Sequence, residues 1–222
     1  MVYYYIGDYM HIKIYFLLFL IYSVLGWIME VIQGYIRHKK IVNRGFLLGP
    51  LCPIYGYGAL AITLLLSKYA YDIKILFVMS MVICSILEYF TSYFMEKLFN
   101  TRWWDYSNRK FNINGRICLE TLIPFGILGC IITYFINPVA FTFISKIPNS
   151  VLNVSTIILF TVYIIDNLIS FTIISNLKHM KLKGDSTEEI SKQVRKIIND
   201  RQVKMYNRVI KAFPTLKIVR KK

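Results

Sequence analysis

Apolar residues fall in five blocks along the chain, at about 14–36, 53–67, 73–94, 119–136 and 151–177. Four of them are near or above the ~20 residues that a helix needs to cross a bilayer. The pattern predicts an all-α bundle of about five transmembrane helices. The second block is short and opens on Gly49-Pro50-Leu51-Cys52-Pro53, followed by Gly56 and Gly58. Helix breakers at that place suit a tilted, broken or re-entrant segment.

Polar residues inside the blocks are patterned too. The first block carries Ser23, Gly26, Glu30 and Gln33, the third Ser85, Glu88, Ser92 and Glu96, and the fifth Tyr163, Asp166, Asn167 and Ser170. Steps of three and four place each set on one helical face, which should point into the bundle. An acid at mid-bilayer costs ~2.5–3.5 kcal/mol or more, so Glu30, Glu88 and Asp166 need partners. Each lies ~22–24 Å along its helix from one common end, at 1.5 Å per residue. Two readings follow. In one, these acids and Asn167 line a polar cavity for a cation, a proton or a solute. In the other, each acid pairs with an arginine of the adjoining loops, Arg44, Arg102 or Arg116, and fixes the helices.

Composition agrees with a lipid-embedded chain. Hydrophobic residues make up 56% of 222 and charged residues 18%, with mean hydropathy +0.49. A soluble domain of this length has too little interior to hide so much apolar side chain. The net charge of +15 changes the picture only through its placement. All the Lys and Arg residues except Lys13, Lys68, Lys74 and Lys146 lie in the first loop, the third loop or the tail from Lys178 onward. Five crossings put all three on one side, which places the N-terminus outside and the C-terminus in the cytoplasm of a multi-pass cell-membrane protein. Charge segregated in this way suits the anionic inner leaflet and excludes nucleic acid as the expected partner. Ser186 and Glu189 form a capping box ahead of a basic amphipathic helix over about 186–213 of a cytoplasmic tail that begins near residue 179.

The first apolar block lacks a basic leader and a small-residue cleavage site, so it is expected to be a retained helix. Cys52, Cys84, Cys118 and Cys130 are singletons, and His11, His38 and His179 show no ligand spacing. No metal and no cofactor is expected. The chain contains no GxSxG, HExxH or GxxxxGK[ST], so hydrolase chemistry and ATP binding by those devices are not expected of it.

The third loop is the most unusual stretch. Trp103-Trp104-Asp105-Tyr106-Ser107 runs into Asn112-Ile113-Asn114-Gly115-Arg116. Paired tryptophans beside a span suit interfacial anchors, and Asn and Gly suit a tight turn. With Arg44 and Glu96, this loop is a candidate cytoplasmic mouth or partner contact.

At these residues the chain resembles the bacterial family of ABC-transporter type IV permeases. The likeness rests on Gly26-Trp27-x-x-Glu30, Asn43-Arg44-Gly45-Phe46, Gly49-Pro50-x-Cys52-Pro53-Ile54-Tyr55-Gly56, Leu87-Glu88-Tyr89, Met95-Glu96 and the third-loop motifs through Leu119. It implies a membrane permease-type subunit, in an oligomeric assembly, working with a separate ATPase. An enzyme of the membrane interface acting on a lipid-linked substrate, and a scaffold or regulator, are the alternatives that the residues leave open.

Overall fold

A computed structural model describes residues 8–39, 43, 45–179 and 217–218. Arg44 and the helix expected over 186–213 lie outside them. Among the described residues six α-helices follow one another: α1 Asp8–His38, α2 Pro53–Leu65, α3 Ile73–Phe99, α4 Leu119–Ile131, α5 Asn137–Ser145 and α6 Asn149–His179. A π-helical turn, Ile132–Ile136, joins α4 to α5, so the two form one rod of 27 residues. The fourth apolar block therefore continues past Pro138 instead of ending at 136. Proline has no N–H to give to the helix, and the wider turn before it absorbs the mismatch. The only strand pairing among the described residues is Thr101–Arg102 with Lys217–Ile218.

Four helical stretches are long and apolar enough to cross a membrane. α2 is not, with 13 residues and ~20 Å of rise. The chain reaches it through an inward fold. Leaving α1, it turns back until the Cys52 N–H donates to the Ser23 carbonyl at 2.9 Å, about halfway along α1. From there α2 runs antiparallel to α1, and Leu66 just beyond it packs in the same core cluster as Ile14 and Leu18. Residues 45–52 and α2 thus return the chain along α1 to the level of Ile14. Pro53 opens α2 at a position where a missing N–H does no harm.

Non-helical backbone at that depth must have its polar groups satisfied from within the protein. Trp27 Nε1 donates to Asn43 Oδ1 at 2.6 Å, and Asn43 Nδ2 donates to the Leu48 carbonyl at 2.9 Å. The decisive contact comes from α6. The Leu48 and Gly49 N–H groups donate to the two carboxylate oxygens of Asp166, at 2.8 and 2.9 Å. Ser170 supports the same carboxylate at 3.1 Å. A Cβ at Gly49 would stand 2.8 Å from Asp166 Oδ2, so only glycine lets the amide come this close.

A second polar link ties α1, α2 and α5. Tyr22 Oη donates to Asn137 Oδ1 at 2.5 Å, and Asn137 Nδ2 donates to Thr63 Oγ1 at 3.1 Å. α6 runs parallel to α1, with Phe16 against Phe160, Phe19 against Tyr163, and Lys13 Nζ bonded to Asn153 at 2.6 Å. At Gly56 the backbones of α2 and α1 come close together, since a Cβ there would lie 2.7 Å from the Phe19 carbonyl oxygen.

Two stability tests follow. Asp166→Asn leaves one loop amide without a matching acceptor and is expected to cost ~1–3 kcal/mol, read as a lowered melting temperature in detergent. An unchanged midpoint would remove Asp166 from the role of loop anchor. Gly56→Val places atoms against backbone that cannot yield, at ~1–3 kcal/mol or more. It should lower the same midpoint more than Gly58→Ala, whose added Cβ would meet only Cys84 Sγ at 3.8 Å.

Candidate functional site

The loop from Asn100 to Cys118 also folds back along the bundle. A left-handed Asn100 ends α3 and reverses the chain. Trp103 then turns inward. It is only 4% exposed and packs against Phe99, Phe46, Ile173 and Ile174. Trp104 is partly buried, and its Nε1 donates to the Arg116 carbonyl at 3.0 Å. The Trp pair therefore joins the loops to α3 and α6, where an interfacial anchor would face lipid.

The rest of the loop is closed by its own polar groups. Asp105 accepts from the Ser107 N–H at 3.0 Å. Asn112 Nδ2 donates to the Arg109 carbonyl at 2.8 Å, and Asn112 Oδ1 accepts from the Gly115 N–H at 3.0 Å. The Tyr106 N–H donates to the Gly115 carbonyl at 2.8 Å. Asn114 has φ of 53°, and its amide donates to Tyr89 Oη at 2.9 Å. The Asn and Gly residues thus do form a tight turn, and it is fastened to α3.

The loop's cations converge on Glu96. Arg102 Nε and Arg116 Nη1 both lie 3.0 Å from its Oε2. Arg102 also reaches Asp105 at 3.6 Å. Arg116 is only 9% exposed, donates to Ser92 at 3.3 Å, and lies over the rings of Tyr89 and Tyr93. A carboxylate on one side and aromatic faces on another are favourable partners for a buried guanidinium.

Above this cluster the two inward folds meet. Glu88, buried on α3, accepts from Tyr106 Oη and from Thr121 Oγ1, both at 3.3 Å. Glu30 accepts from Tyr55 Oη at 2.8 Å. Both carboxylates act electrostatically on Tyr106. Burial, and then the charge of Glu88, push the Tyr106 phenol well above its usual range. Tyr106 therefore stays protonated, and a donor, throughout the physiological range.

The three acids of the sequence pattern are thus placed differently. Glu30 and Glu88 come together around Tyr55 and Tyr106. Asp166 is engaged by the first loop, and the Asn167 amide donates to the Tyr163 carbonyl within α6 at 2.7 Å. Glu88 and Asp166 are held by hydroxyls and amides, while the described arginines go to Glu96 and Asp105, with the exposed Arg109 on Glu120 at 3.1 Å. Tyr55, Tyr106 and Thr121 were not singled out by spacing. Tyr55 and Tyr106 stand inside the two conspicuous loop motifs, which was the available signal. Among the described residues no group of His, Cys, Asp and Glu has the arrangement of a metal site.

No curated protein and no solved structure matches the chain. A family model does, over residues 17–171, described as Putative ABC-transporter type IV. That match takes in both inward-folding loops, every helix that contributes to the Glu30–Glu88 cluster, and Asp166. The chain belongs to this ABC-transporter type IV family.

Proposed function

We propose that the chain is the permease-type subunit of a transport system driven by a separate ATPase. In this reading Glu30 and Glu88 bind the solute in a cavity that opens on the basic, cytoplasmic face. The Glu96–Arg102–Asp105–Arg116 cluster frames its mouth, and Asp166 serves it by holding the first loop in place. The observation that carries the reading is that two carboxylates, on α1 and α3, each accept from a tyrosine hydroxyl, Glu30 from Tyr55 at the start of α2 and Glu88 from Tyr106 of the 100–118 loop. Side chains already satisfied by neutral donors can exchange them for a polar solute without leaving a bare charge in lipid. A cation or a solute rich in hydroxyl or amine donors suits two carboxylates.

The first test is purification of the tagged protein from its native membrane in mild detergent. An ATPase in fixed stoichiometry is expected, with a hydrolysis rate that changes when both are reconstituted together. Recovery with lipid or a non-ATPase protein alone would overturn the transport reading.

The second test is Glu88→Gln, which keeps an oxygen acceptor for Tyr106 and Thr121 but removes the charge. It should abolish the effect of this chain on the ATPase while abundance and elution volume stay as in the parent. Loss of the protein together with the effect would assign Glu88 to folding.

A further inference from the structure

With Trp103 packed inside, other side chains of the second inward-folding loop, over 100–118 (the third loop of the sequence), are left facing outward. Phe111 is 79% exposed and Ile113 is 55% exposed. Arg109 and Lys110 directly precede them and are exposed as well. Phe111 has φ of 51°. A bulky residue rarely adopts that conformation, and it persists only where the surroundings impose it. Here the Asn112 side chain clasps the Ser107 and Arg109 carbonyls at 3.2 and 2.8 Å. The turn therefore displays an aromatic ring where burial would have been the default.

The height of this turn identifies what it meets. Asn114 is bonded to Tyr89, and Arg116 lies over Tyr89 and Tyr93. Those tyrosines stand ~24 and ~30 Å along α3 from its first residue, at 1.5 Å per residue. A hydrocarbon core is ~30 Å thick, so a helix entering at Ile73 brings them to the far boundary of the apolar layer. Phe90 and Phe94, 51% and 54% exposed, lie at the same level of α3. The tip is thus level with the headgroup boundary, on the face where the chain concentrates its basic residues.

We infer that the tip over 109–113 is an interfacial anchor for anionic phospholipid: Phe111 and Ile113 enter the acyl boundary, Lys110 meets the headgroup phosphates, and Arg109, which also pairs with Glu120 at 3.1 Å, adds its remaining N–H donors. An apolar pair beside two cations matches the layered chemistry of that boundary, while a cytosolic protein partner would need the tip to stand clear in water. This anchor goes beyond solute binding and stands whether or not an ATPase is found. It would hold the second loop at a set depth, and with it Tyr106 beneath Glu88.

The test uses the full-length protein with Phe111→Trp, an exposed position where the substitution disturbs no packing. The variant is reconstituted in vesicles of phosphatidylcholine with or without phosphatidylglycerol. The emission added over the parent protein is read against quenching by lipids brominated near the headgroup end of the acyl chain and by iodide in the water. Loss of the added emission to brominated lipid, greater with phosphatidylglycerol present and reduced again by Arg109→Gln with Lys110→Gln, supports the anchor. Quenching by iodide and not by brominated lipid overturns it and turns the tip into a surface for a soluble partner. Equal quenching by brominated lipid with and without phosphatidylglycerol overturns the assignment to anionic headgroups.

Discussion

The cost of bare backbone in an apolar medium governs this molecule. Two stretches of chain that are not helical lie alongside the helices, and each N–H and C=O in them must find a partner inside the protein. For the first stretch the partner is the Asp166 carboxylate, which takes the Leu48 and Gly49 amides at once. Amide donors and a carboxylate stabilise each other here, because each would be costly alone at that depth. Everything downstream of the first loop depends on this contact. It sets where α2 begins, and the start of α2 sets where Tyr55 meets Glu30.

The second loop solves the same problem with side chains of its own. Asp105, Asn112, Asn114 and the Trp104 indole bond to backbone or to hydroxyls within the loop itself, or across to α3. The motif that stands out in the sequence is therefore a folding unit in its own right. Its functional interest lies in what that rigidity presents, namely the Tyr106 hydroxyl held under Glu88. The proposed solute site, built on two such supports, would be satisfied when empty and still able to exchange its partners when occupied.

Much of the bundle was legible because periodicity reports which face of a helix is buried. The stripe through Glu88 points inward as its spacing requires, the one through Glu30 does so over Ser23, Gly26 and Glu30 but leaves Gln33 exposed, and the breakers around Gly49 and Pro53 mark the broken second segment. What periodicity could not supply is the identity of a partner far away in sequence. Asp166 looks like Glu88 in its stripe, yet one accepts loop amides and the other accepts hydroxyls. Composition also misplaced the tryptophans. Trp beside a span suits the interface on average, but Trp103 follows a left-handed Asn100 that swings it back onto Phe99. The continuation of the fourth segment through Pro138 was hidden for a related reason, since a π-turn leaves no trace in the hydrophobic pattern.

One oxygen of Glu96 receives both Arg102, from the start of the second loop, and Arg116, from its end. The two ends of the loop are therefore clasped together on α3, alongside the Trp104–Arg116 and Tyr106–Gly115 bonds that close it from within. A loop held in that way does not loosen strand by strand. A rotation of α3 that moves Glu96 shifts both ends of the loop together, and Tyr106 between them travels as part of the same rigid link. Motion of one membrane helix is thereby geared directly to the hydroxyl that faces Glu88.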